Sequence, residues 1–156
     1  MTAIVGIDPG GAHTGVVVRS GADLLAGCVL SRSACDESRY IADVLDVITG
    51  YAEQFGADVA IEGIVHPNPH VRIVNVAGLL DTACVYGAVL GHWPAATIVD
   101  PGGNGSAPLS CYPFDLRGAG EQRGTGWRRH LRSAWDVAGA AQVRTPLAAV
   151  RRRDLR

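Results

Sequence analysis

The sequence predicts an α/β domain built on a mixed five-stranded sheet, three antiparallel strands followed by parallel strands, flanked by helices. Three observations lead there. Short apolar runs rich in β-branched residues and longer helix-patterned stretches follow one another as three strands, helix, strand, helix, strand, helix. The strand runs break at sharp turn sequences such as Asp8-Pro9-Gly10-Gly11 and Asp100-Pro101-Gly102-Gly103. At 156 residues and 47% hydrophobic, the chain can bury one good core but not two.

Residues 3–7, Ala-Ile-Val-Gly-Ile, are a short buried strand that delivers Asp8 to its carboxyl end. Residues 15–19 and 24–30 are two more strands, joined by the hairpin signal Ser20-Gly21-Ala22-Asp23. From residue 36 to 55, Ile41, Val44, Leu45, Ile48, Ala52 and Phe55 trace a helical stripe. Asp36 and Glu37 stand in the favourable first turn and Gly56 follows the end. Residues 58–64 form a fourth strand with Glu62 near its end, and residues 65–75, with two prolines and two histidines, are a loop. A second helix covers 76–90, with small residues Ala83, Gly87 and Ala88, and a fifth strand 97–99. Residues 102–126 have the glycine, proline and serine content of a mobile loop. A last helix spans 127–143. The domain is therefore residues 1–143, and 144–156 read as a basic C-terminal tail, disordered by expectation.

The net charge of −1 hides a division. Residues 1–116 hold four arginines against twelve acids, whereas 117–156 hold ten arginines against Glu121, Asp136 and Asp154. That asymmetry points to a polyanion contact at one end. All fourteen basic residues are arginine, chiefly a coding bias, although the planar guanidinium suits phosphate. The four cysteines, at 28, 35, 84 and 111, form no C-x-x-C pair and are expected to be buried, reduced thiols. The N-terminus lacks the pattern of a secretory signal, and residues 76–90 are too short and carry Asp81, so no membrane contact is expected and the location is cytoplasmic.

Three carboxylates stand at informative places: Asp8 ending strand one, Glu62 near the end of strand four, and Asp136 on the last helix. If strands one and four are parallel neighbours, Asp8 and Glu62 converge at one sheet edge and the helix brings Asp136 across. Taken singly each has a plain alternative: a turn residue for Asp8, an ion pair with Arg132 for Asp136. Glu62 is the most telling, because an acid within Val-Ala-Ile-Glu-Gly-Ile is costly to bury without a partner. Hard divalent cations need such oxygen clusters. Two Mg²⁺ ions about 3.5–4 Å apart, or Mn²⁺ in their place, would support metal-assisted phosphodiester hydrolysis.

Gly6-Ile7-Asp8-Pro9-Gly10 followed by Thr14-Gly15, then Ile61-Glu62, then residues 130–138, His-Leu-Arg-Ser-Ala-Trp-Asp-Val-Ala, resemble the RuvC-type Holliday junction resolvases over roughly residues 3–142. The resemblance implies the RNase H-like fold, consistent with the element order. It also implies a homodimer that nicks a four-way DNA junction symmetrically, with Asp8, Glu62 and Asp136 as catalytic metal ligands. The family usually carries a fourth ligand, Asp or His, three residues before the last Asp; here that position is Ser133, and His130 is the other candidate. The family's aromatic residue after the second carboxylate is also missing. His66 and His70 are candidates to stack on bases in its place. Arg117, Arg123, Arg128, Arg129 and Arg132 are candidates for phosphate contact. Asp100 ends strand five much as Asp8 ends strand one, but the family takes no ligand there.

Rival readings are a broader structure-selective nuclease acting on flaps, branched DNA or RNA, and a catalytically inactive junction-binding module. An actin-like ATPase or sugar kinase would need two such domains, and the chain has no lysine for a Walker motif, so no nucleotide cofactor is expected.

Overall fold

The computed structural model describes residues 2–32, 37–64 and 75–153, with the backbone alone considered at 37 and 144–153. Five strands, β1 (Ile4–Asp8), β2 (His13–Ser20), β3 (Asp23–Ser31), β4 (Asp58–Glu62) and β5 (Thr97–Val99), form one sheet in the order β3-β2-β1-β4-β5. β1, β2 and β3 pair antiparallel, while β4 pairs parallel with both β1 and β5. The mixed sheet is the predicted one. Its helices are α1 (Glu37–Phe55), α2 (Val76–His92), a short α3 (Phe114–Arg117) and α4 (Arg129–Arg153).

Strand periodicity assigns the two faces. Val5 and Ile7 of β1, Val16 and Val18 of β2, and Val59 and Ile61 of β4 pack with Tyr40, Val44 and Ile48 of α1 and with Val85 and Val89 of α2. The alternate residues, Ile4 and Ala60, meet Val137, Ala138 and Ala141 of α4, while Val17 meets Leu131, Ala134 and Trp135. Gly6 and Gly15 face the same helix, and neither can carry a side chain. A Cβ on Gly6 would lie 2.1 Å from the Ala134 carbonyl oxygen, and one on Gly15 2.2 Å from that of His130. These two glycines let α4 lie directly on the sheet.

Three expectations change. The last helix continues to Arg153, past the predicted end at 143 and through most of the segment read as a tail. The stretch 102–126 is not featureless: it contains a 3₁₀ turn at Leu109–Cys111 and then α3. Cys84 and Cys111 are exposed and Cys28 half-buried; none of these three is in a disulfide, but none is fully buried, and Cys35 lies outside the described residues. Among the described residues no helix is long and apolar enough to cross a membrane.

Candidate active site

Asp8 and Glu62 reach one place because β1 and β4 run parallel in register, Ile7 opposite Ile61, with the two acids next on the same face. That face is the one covered by α4. The turn after Asp8 is held from behind: the Gly10 carbonyl accepts from Thr14 Oγ1 at 3.2 Å and from Tyr40 OH at 3.0 Å.

The first turns of α4 close the site. His130 Nδ1 lies 2.8 Å from Asp8 Oδ2, and Ser133 Oγ donates to Glu62 Oε2 at 3.0 Å. Asn104 Nδ2 donates to the other Glu62 oxygen at 2.8 Å. Burial raises the Glu62 carboxyl above its ordinary value; the Asn104 hydrogen bond opposes this, the neighbouring Asp8 reinforces it, and Ser133 opposes it again. A cleft of about 330 Å³ is lined by Asp8, Glu62, Asn104, Arg129, His130 and Ser133 with adjoining loop residues.

Asp136 stands beside this cleft, bonded to Gly105, one of its lining residues. Its Oδ2 accepts from the Gly105 N–H and from Tyr112 OH, both at 2.8 Å, and burial together with that hydrogen bond pushes the Tyr112 phenol up to about 12. The reason is helical geometry. At about 100° per residue, Ser133 is only about 60° around the helix from His130, whereas Asp136 is about 120° away and turns toward the 104–112 loop. The pair spaced by three that faces the cleft is His130 and Ser133, one turn before the pair inferred from the resemblance.

Arg132 departs from the expectation. Its side chain is fully buried, donating to the Leu116 carbonyl at 2.9 Å, the Thr125 carbonyl at 2.6 Å and Glu121 Oε2 at 2.8 Å, so it pins the loop and is not available to DNA. Arg117, Arg123 and Arg129 are exposed and Arg128 is half-buried. Of these, Arg129 lines the cleft itself, while Arg117 and Arg123 also bond the carbonyls of Tyr112 and Ser106. His66 and His70 lie outside the described residues.

Sequence reasoning missed Asn104, Gly105 and Tyr112. Gly102-Gly103-Asn104-Gly105 reads only as a turn, and nothing local says that it folds back on strand four. The Asp100 carbonyl accepts from Asn104 Nδ2 at 3.3 Å.

No protein-family model and no curated protein matches the sequence. Solved structures do. RuvC of Thermus thermophilus in complex with a Holliday junction substrate superposes with a TM-score of 0.62 at 20% identity, covering 88% of this chain and 90% of that one. The fold is RuvC-like. A second RuvC structure from Thermus thermophilus gives a TM-score of 0.56 at 21% identity, with 88% and 91% coverage.

Proposed function

We propose that this chain is a metal-dependent endodeoxyribonuclease that resolves four-way DNA junctions by paired, symmetric phosphodiester hydrolysis. The observation that carries the reading is the convergence of Asp8 and Glu62 on adjacent parallel strands under the start of α4. The junction-bound RuvC structure with the same fold supports the substrate.

The donor set fits a divalent cation. Two carboxylates crowd one cleft, and burial disfavours the charge of Glu62, the conflict that a cation relieves. Among the described residues no three His, Cys, Asp or Glu side chains form a ready cage. Mg²⁺ does not require one, since it typically keeps several waters and binds one or two carboxylates plus substrate phosphate. Asp8 and Glu62 would hold it. A second ion would draw on His130, Ser133 and the phosphate, and the imidazole makes Mn²⁺ a good substitute. When bound, such a cation activates water and stabilises the leaving 3′-oxygen.

The chain's own residues do the positioning. Asn104 and Ser133 each fix one oxygen of Glu62, and His130 orients Asp8. Arg129 at the cleft wall neutralises phosphate, and Arg117, Arg123 and Arg128 on the preceding segment are further candidates for phosphate contact. A junction has approximate two-fold symmetry, so the active form is a homodimer. Val76, Leu80, Cys84, Gly87 and Gly91 leave an apolar or small exposed stripe along α2, and this is the expected interface.

A second reading has one observation in its favour. With Ser133 facing the cleft and Asp136 committed to Gly105 and Tyr112, the site holds fewer acids than expected, which favours an inactive junction-binding module. Cleavage of a labelled mobile junction decides, beside flap, duplex and single-stranded controls, with Mg²⁺ or EDTA, for wild type and Asp8→Asn. Paired nicks requiring both metal and Asp8 are expected. Equal cutting of flaps would make the enzyme a broader nuclease, and tight binding without cutting would leave a binding module.

A further inference from the structure

Trp127 stands just before α4 with 52% of its surface exposed. Its ring meets His13 edge-on with centroids 6.0 Å apart, and His13 tilts against His130 at 5.6 Å. His130 is the imidazole bonded to Asp8, so a chain of rings leads from solvent to the first carboxylate. With Gly124, Thr125, Gly126 and Arg129 these rings line a hollow of about 440 Å³, and Gly124, Arg129 and His130 also line the Asp8–Glu62 cleft. Gly124, at φ 69°, has open space where a side chain would stand, so the wall beside the indole is backbone.

An exposed indole beside a guanidinium suits a flat group with an apolar face and an attached anion. A nucleobase stacks on the ring, and its phosphate lies toward Arg129. We infer that Trp127 and His13 form a stacking platform for one unpaired nucleobase adjoining the phosphate in the Asp8–Glu62 cleft. A base seated there holds its own phosphate in the shared part of the two hollows, so the platform sets which phosphodiester is presented. The location of that phosphate rests on the nuclease reading above; the stacking itself is measurable without it.

The test is a binding cycle run in EDTA, where no strand is cut. Four-way junctions that are intact, or abasic at the nucleotides flanking the crossover, are titrated with wild type, Trp127→Ala and Trp127→Phe, whose thermal midpoints are compared to confirm folding. Removing the bases should weaken wild type by about tenfold, leave Trp127→Ala unaffected, and weaken Trp127→Phe nearly as much as wild type. Equal losses in wild type and Trp127→Ala overturn the inference, as does a wild type that binds neither junction. Because cleavage is not read, the two proposals fail separately. Base-dependent coupling without cutting in Mg²⁺ keeps the platform and removes the nuclease, and cutting without coupling does the reverse.

Discussion

Asp136 Oδ2 accepts from the Gly105 N–H and from Tyr112 OH, so this side chain joins α4 to the loop that brings Asn104 to Glu62. A positioning residue of this kind tolerates an isosteric amide better than a metal ligand does. Asp136→Asn should keep junction cleavage within about tenfold of wild type, whereas Asp8→Asn should lose about a thousandfold. Single-turnover rates on the same junction check this, and equal loss in both variants would make Asp136 a ligand after all. Glu121 offers a test of the loop anchor. Partial desolvation alone would raise its carboxyl, but hydrogen bonds from Arg132 and the Arg128 N–H, with both guanidinium charges, outweigh it and hold the group below 4.5. A depressed carboxyl contributes stability that is present above the unfolded value and is lost as pH falls through the folded one. Thermal midpoints should therefore drop on acidification below 4.5 more steeply in wild type than in Glu121→Gln.

Among the elements, α4 does most to assemble the site, because it touches all five strands and supplies both His130 and Ser133. Its seat depends on Gly15, where any side chain would strike the His130 carbonyl. Gly15→Ala should lift the first turn of α4, cost about 1–3 kcal/mol, and separate His130 from Asp8. Denaturant melts and cleavage rates measure the two effects, and a variant as active and stable as wild type would contradict the packing described. α2 presents the opposite case, a helix with only Val85 and Val89 fully buried and Val76 and Leu80 about 60% exposed. Leu80→Arg should convert the expected dimer to a monomer in sedimentation experiments, and an unchanged dimer would place the interface elsewhere.

For the whole molecule, charge division becomes direction. Arg129 lines the cleft and the exposed Arg117 and Arg123 lie on the segment leading to it, while most acids lie in the first 116 residues. Junction affinity should therefore fall steeply with salt, by a logarithmic slope of about 0.9 per neutralised phosphate. Arg129→Ala should reduce that slope by about one for each subunit; a salt-independent affinity would argue against this face as the DNA contact.

By itself the sequence determined the strand and helix order, the placement of Asp8 and Glu62 at the ends of their strands, and the concentration of arginine near the last helix. These are local properties, readable from strand periodicity, turn residues and composition. Only the tertiary structure decided which residues of α4 face the cleft, because a helix turns about 100° per residue and its rotation is set by what it packs on, here Gly6 and Gly15. Element placement and the resemblance both pointed to Asp136 as the third acid; packing brings His130 and Ser133 to the cleft and bonds Asp136 Oδ2 to Gly105 and Tyr112 beside it. The same holds for Arg132, one more arginine in the sequence but a buried clamp once residues 116–125 fold over it. Asn104 and Tyr112 join the site through contacts across 42 and 24 positions of chain, a relation that no local pattern contains.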